Sequence, residues 1–278
     1  MELLNPLFKW IHIIAGITWI GLLYFFNFIN GHVAATYDAD SKKKVVPELM
    51  PRALYWFRWG AAWTWLTGVV LLYLIYLQGG TLMPSDFTSS DDPIIDKIPA
   101  NMLIHISLTI TFLTVFLYDF FYKSSLGKNT RVATIISFAY VAGFIYFMTS
   151  VVPMASATDE AIGYRTFNIL IGAMFGTIMA FNVWFRIWPA QKRIITAIKG
   201  GNKPEASDLG LAGLRSKHNT YMSIPLIWTM IAEHHVLLVE GESWYNQIPA
   251  EIWLIGMVAL GWHIVFQLYR KSAKIKGF

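Results

Sequence analysis

The sequence predicts an all-α, polytopic transmembrane helix bundle of seven spans, with the N-terminus outside and the C-terminus in the cytoplasm. Three observations carry that prediction. Of 278 residues, 55% are hydrophobic, 16% aromatic and only 14% charged, where a soluble domain carries roughly a quarter charged residues. The apolar residues gather into seven runs of about the 20-residue length a bilayer demands. Lys and Arg then cluster in alternate connections rather than scattering along the chain, as the positive-inside rule requires. The same composition excludes a disordered chain, a collagen-like fibre and a nucleic-acid module. There is no cysteine, so disulfides, iron–sulfur clusters, thiolate metal sites, covalently attached c-type haem and a Cys nucleophile are excluded as well.

The predicted spans are 7–29, 53–77, 101–122, 131–152, 165–188, 219–239 and 250–270, forming one integral membrane domain over 1–278 with no internal repeat. The first lacks a basic leader and a small-residue cleavage site, so it reads as a retained span and not as a signal peptide. Lys42, Lys43, Lys44 and Arg52 follow it on the inner side. The second span is crowded with Trp56, Trp59, Trp63 and Trp65, which suit an interfacial belt or a cofactor face. Gly79-Gly80, Pro84 and an acidic run to Pro99 mark the next loop as external. Lys123, Lys128 and Arg131 bring the chain back inside between spans three and four, with Asp119 at the interface. Gly172 and Gly176 give the fifth span a small-xxx-small packing stripe. Beyond it, residues 189–200 set Ile194, Ile195 and Ile198 against Lys192, Arg193 and Lys199, the pattern of a short helix lying on the cytoplasmic interface. Gly200-Gly201-Asn202-Lys203-Pro204 then forms a loop. Arg270, Lys271, Lys274 and Lys276 close the chain on the inner side. The net charge of +5 is thus mainly an orientation signal.

Chemistry falls to the seven histidines. At about 1.5 Å rise per residue, His12 on span one, His105 on span three, and His234 and His235 on span six share a depth of roughly 6–8 Å below the outer boundary. His263 lies deeper on span seven, and His32 and His218 sit at cytoplasmic ends. One intramembrane histidine is often only an interhelical hydrogen bond. Four at one level, from three helices, point to a bis-His haem b, because neutral imidazoles ligate iron without leaving an unpaired charge in the apolar interior. Gly16 and Trp19 continue the His12 face. His12 is the first-choice metal ligand, and His105 and His234 compete for the opposite axial place, with His235 behind them. A second, inner haem would use His263 with His218 or His32. Glu233 orients an imidazole, carries a proton or faces a wet cavity. Met102 and Met230 either pack or offer a thioether ligand. Arg58 either snorkels to the interface or holds a haem propionate or an anionic substrate.

Several segments resemble the bacterial membrane-bound urate oxidase (urate hydroxylase) family. They are Trp10-Ile11-His12-Ile13-Ile14-Ala15-Gly16-Ile17-Thr18-Trp19-Ile20-Gly21; Trp56-Phe57-Arg58-Trp59-Gly60-Ala61 with Thr64-Trp65-Leu66-Thr67-Gly68; Tyr118-Asp119 with Ser125-Leu126-Gly127-Lys128-Asn129; and Lys217-His218-Asn219-Thr220-Tyr221 with Pro225 and Met230-Ile231-Ala232-Glu233-His234. His263 falls where that pattern has another histidine, whereas Gly60 stands where it has an acidic residue. The resemblance implies a redox protein of the bacterial inner membrane working with a cytochrome c. Family members usually continue into a fused cytochrome c domain with a Cys-x-x-Cys-His motif; with no cysteine here, electrons would pass to a separate cytochrome c, another redox subunit or a quinone. The first helix, including Gly21-Leu22-Leu23-Tyr24, also resembles the haem-containing four-helix protoporphyrinogen oxidases, which implies His12 as an iron ligand.

The leading expectation is a membrane-embedded b-haem redox protein, acting as an oxidase or as an electron-transfer subunit. The alternatives are a urate or purine oxidase membrane domain, whose cationic inner loops attract a small anionic substrate, and a non-haem transporter or structural subunit of a respiratory complex.

Overall fold

A helix in lipid has no water to satisfy stray polar groups, so hydroxyl residues within the apolar runs must bond inside their own helix. Thr64 Oγ1 donates to Gly60 O at 2.7 Å, Thr114 Oγ1 to Ile110 O at 2.6 Å and Thr177 Oγ1 to Ala173 O at 2.7 Å. The computed structural model describes residues 3–78, 100–151, 164–232 and 248–277, and among these it is helical with no strands. The elements are α1 (Leu4–Tyr24), α2 (Gly31–Ala34), α3 (Ala39–Leu71), α4 (Ala100–Phe121), α5 (Ser125–Lys128), α6 (Thr130–Tyr146), α7 (Tyr164–Asn182), α8 (Trp188–Lys199), α9 (Ala206–Ala232) and α10 (Ala250–Ser272). Short π-helical stretches follow α1, α3, α6 and α7. In the first of these Asn27 turns its Nδ2 back to Leu23 O at 2.8 Å, supplying a side-chain donor where the widened turn disturbs the backbone ladder.

Among the described residues, five helical stretches are long and apolar enough to cross a membrane: Leu4–Ala34, Ala39–Leu77, Thr130–Thr149, Arg165–Lys199 and Glu251–Ser272, with a shorter apolar helix at His105–Phe121. The chain is therefore the polytopic membrane helix protein its composition predicts. The helix limits differ from the predicted spans for local reasons. α3 begins at Ala39, well before residue 53, because the Asp38 carboxylate accepts from the Ser41 amide at 2.6 Å and starts the helix outside the apolar run. α9 begins at Ala206, before residue 219, and its first turns bury Asp208, Ala212 and Arg215. The outer end of the predicted sixth span and the acidic loop before residue 100 lie outside the described residues.

The chain divides into two compact units. The first comprises Met1–Val70, Ile178–Ile224 and Gly261–Phe278, and buries Trp19, Leu23, Leu54, Phe57, Ala61, Val183, Ile187 and Val265. Asn219 is fully buried in it, donating to Met179 O at 2.9 Å and accepting from Asn182 Nδ2 at 2.9 Å. The second comprises Leu71–Thr177 and Pro225–Leu260, with Ile145, Met148, Leu170, Ile171, Met174 and Leu254 in its core. Here Asn168 Nδ2 donates to Thr229 O at 2.8 Å. A Cβ at Gly172 would collide with Thr229 Oγ1 and come within 2.8 Å of Met230 Cε, so the packing readings of Gly172 and of Met230 account for both residues. Asp119 is buried within the protein, with Lys123 Nζ 2.7 Å from its Oδ2. The 125–129 motif is a connector: Ser124 caps α5, Asn129 caps α6, and a Cβ at Gly127 would strike Phe121 O.

α8 also departs from expectation. Its apolar face was predicted to lie in the lipid interface, but Ala190, Ile194, Ile195 and Ile198 are buried within the protein. A two-point contact from Arg193 Nε to Asp208 Oδ1 and Oδ2, at 3.0 and 2.9 Å, also ties α8 to the start of α9. Hydrogen bonding from the Arg193 guanidinium holds the Asp208 carboxyl below its ordinary value. A lowered folded-state value means that the contact's stabilisation is complete above the unfolded carboxyl value, about 3.9, and is lost as pH falls through the depressed one. Thermal melts should therefore show Asp208→Asn less stable than wild type at pH 7, with the gap closing in strong acid.

Candidate functional site

His12 is the histidine around which the first unit builds a specific environment. α1 lies against α3 along a line of small residues. Phe26 meets Phe57 edge-on at 5.3 Å, Gly60 faces Ala15 and Trp19, Thr64 lies opposite Gly16, and Gly68 faces His12. A Cβ at Gly68 would sit 3.1 Å from His12 Cε1, so the imidazole edge reaches helix α3 because residue 68 has no side chain. A Cβ at Gly60 would come within 3.2–3.3 Å of Trp19 N, Trp19 Cα and Ala15 O, so a side chain there would require α1 to shift.

The hydrogen bonds define the His12 tautomer. His12 Nδ1 lies 3.1 Å from Thr67 Oγ1, and Thr67 Oγ1 gives its own proton to Trp63 O at 2.6 Å. The hydroxyl is then an acceptor toward the ring, so Nδ1 carries the proton and the lone pair resides on Nε2. A ligating histidine is typically arranged this way, with one nitrogen anchored to the protein and the other presented to the metal. Trp19, two turns along the same face, is 1% exposed, and its indole N–H has no acceptor among the described residues. An imidazole with its lone pair on Nε2 and a side-chain-free approach at Gly68 are the donor chemistry a b-type haem would require.

His105 is exposed on α4 in the second unit. His263 is exposed on α10, where its Nε2 lies 3.0 Å from Gln267 Nε2. His32 is exposed and His218 half-buried. His234, His235 and Glu233 lie outside the described residues. Among the described residues no group of three His, Asp or Glu side chains converges to hold a metal ion. Arg58 is half-buried within aromatic rings, its guanidinium carbon 4.0 Å from the Trp188 ring centroid, 5.6 Å from Tyr55 and 5.8 Å from Trp184. Trp56 and Trp63 are mostly exposed, as belt residues are.

Sequence reasoning assigned no role to a second constellation in the same unit. Tyr269 Oη donates to Asn27 Oδ1 at 2.9 Å, Asn27 Nδ2 donates to Ser216 Oγ at 2.9 Å, and Tyr24 Oη lies 3.0 Å from Ser223 Oγ. Tyr221 packs between Trp262 and Tyr269, at 5.0 and 5.7 Å. The readable signal was Asn27 itself, an amide inside an apolar run.

The sequence matches the family described as urate oxidase N-terminal over residues 32–276. The chain belongs to the urate oxidase N-terminal family. The family match takes in α3 through α10, and so includes Thr67, Gly68, Arg58 and the Lys217–Tyr221 motif; His12 on α1 lies before it. No curated protein and no solved structure matches the chain.

Proposed function

We propose that this urate-oxidase-related membrane domain oxidises urate or a related purine and passes the electrons to a separate cytochrome c or quinone, through a b-type haem ligated by His12. The observation that carries the reading is the family match over most of the chain. The haem part rests on the anchored His12 ring. When bound, the haem would supply one-electron acceptance and release. The protein's own contribution is to hold His12 Nδ1 on Thr67, keep Nε2 unprotonated and exclude side-chain bulk at Gly68. A second imidazole donor would complete the iron's ligand set. The topology proposed with it has seven spans, N-terminus outside, in a bacterial inner membrane.

Purified protein supplied with urate and ferricytochrome c should consume urate and reduce two cytochromes per purine, since the purine loses two electrons and each haem iron accepts one. Absence of turnover in a haem-replete preparation refutes the purine reading. A second reading, an electron-transfer subunit with no substrate of its own, is favoured by the fact that the His12 anchor requires nothing of a purine site. It predicts haem reduction by a quinol with no urate consumed.

A further inference from the structure

Arg58 carries a full positive charge in a helix that is otherwise apolar around it, and no carboxylate pairs with it among the described residues. Its guanidinium is stacked on Trp188 and flanked by Tyr55 and Trp184, and Trp184 Nε1 donates to Arg58 O at 3.0 Å, fixing the ring beside the arginine's own backbone. Aromatic faces attract a guanidinium through its plane, but they leave its in-plane N–H donors unmet. Arg58 Nε is enclosed with no acceptor, while the half-buried residue keeps part of its edge open.

What would complete it is an oxyanion arriving from outside the protein. The surroundings select which one. Tyr55 and Trp59, on the same helix, are 47% and 38% exposed, so the aromatic wall opens outward onto the face a membrane helix presents to lipid. Trp188 begins α8, whose Lys192 is exposed on the Lys/Arg-rich side of the chain. A phosphodiester held between apolar chains and a cationic surface is what such a place accommodates. We propose that Arg58, with Tyr55, Trp184 and Trp188, is a headgroup site for an anionic phospholipid in the leaflet on the Lys/Arg-rich side. The site depends on the membrane placement of α3 and not on haem or purine chemistry.

The test uses delipidated full-length protein in non-ionic detergent, offered equal amounts of phosphatidylglycerol and phosphatidylcholine, with retained lipid per chain counted by native mass spectrometry. Wild type should retain phosphatidylglycerol about fivefold better, Arg58→Gln should lose the preference, and Arg58→Lys should keep only part of it, because a point charge lacks the planar stack. An excess of inorganic phosphate or urate should not displace the lipid. An unchanged preference in Arg58→Gln overturns the proposal. So does displacement by either soluble anion, or loss of haem from Arg58→Gln with lipid retention intact, which would assign the guanidinium to a propionate. Should Arg58→Gln fail to fold, Trp188→Leu, which keeps the charge and removes the stacking face, must lower the preference for the proposal to stand.

Discussion

His12→Ala is expected to abolish the low-spin b-haem absorption of the purified protein, while Thr67→Val weakens haem retention without abolishing the band. The two variants act on opposite ends of one ring. Removing the imidazole deletes the proposed metal donor. Removing the hydroxyl leaves the donor but frees its orientation and tautomer, and loss of such an outer partner typically costs 10–100-fold in metal affinity, so about tenfold is the expected floor. Thr67→Ser, which keeps the acceptor 3.1 Å from Nδ1, should restore most of the affinity. Haem per chain by pyridine haemochromogen and the reduced-minus-oxidised spectrum check all three. Haem retained at full stoichiometry in His12→Ala would remove His12 from the ligand set and leave its contact with Thr67 as an interhelical hydrogen bond only.

The contrast between His12 and the other histidines shows how far the sequence could be read. Depth along a helix is legible, because rise per residue is fixed; direction around the helix axis is not, because it depends on which face the neighbours cover. His105 and His263 satisfy the depth argument or the motif, yet both rings are exposed. The environment of His12 depends on a threonine and a glycine more than fifty positions away. Thr67 and Gly68 stood within a recognised motif, but nothing in their types announces that they receive an imidazole. The all-helical membrane class was legible because bilayer thickness imposes a length that composition reveals directly. The start of α3 was harder to read: its first turns are polar and carry Pro47 and Pro51, so no hydropathy signal marks them. The burial of α8 was misread for a related reason. An amphipathic pattern says that one face is covered, and only the burial of Ile194, Ile195 and Ile198 in the folded chain shows that protein covers it.

Gly60→Leu is expected to be the most damaging single substitution in α3 for both stability and haem retention. A Cβ there meets three backbone atoms of α1, Trp19 N, Trp19 Cα and Ala15 O. Backbone in a continuous helix cannot yield as a side-chain tip can, so the new side chain must push α1 away from α3. Overpacking of this kind costs roughly 1–3 kcal/mol or more. The displacement also reaches the functional link, because His12 lies two turns from Trp19 on the same rigid helix and depends on a 3.1 Å contact to α3. Gly21, on the same α1 helix, has nothing within 4 Å of a built Cβ, and Gly21→Leu should leave stability within about 0.5 kcal/mol. Thermal unfolding in detergent with haem content measured on the same samples separates the outcomes. If Gly60→Leu lowers the melting temperature but leaves haem bound, the α1–α3 packing is structural and His12 is held by other contacts. If both fall together while Gly21→Leu changes neither, the close approach of these two helices is what positions the imidazole.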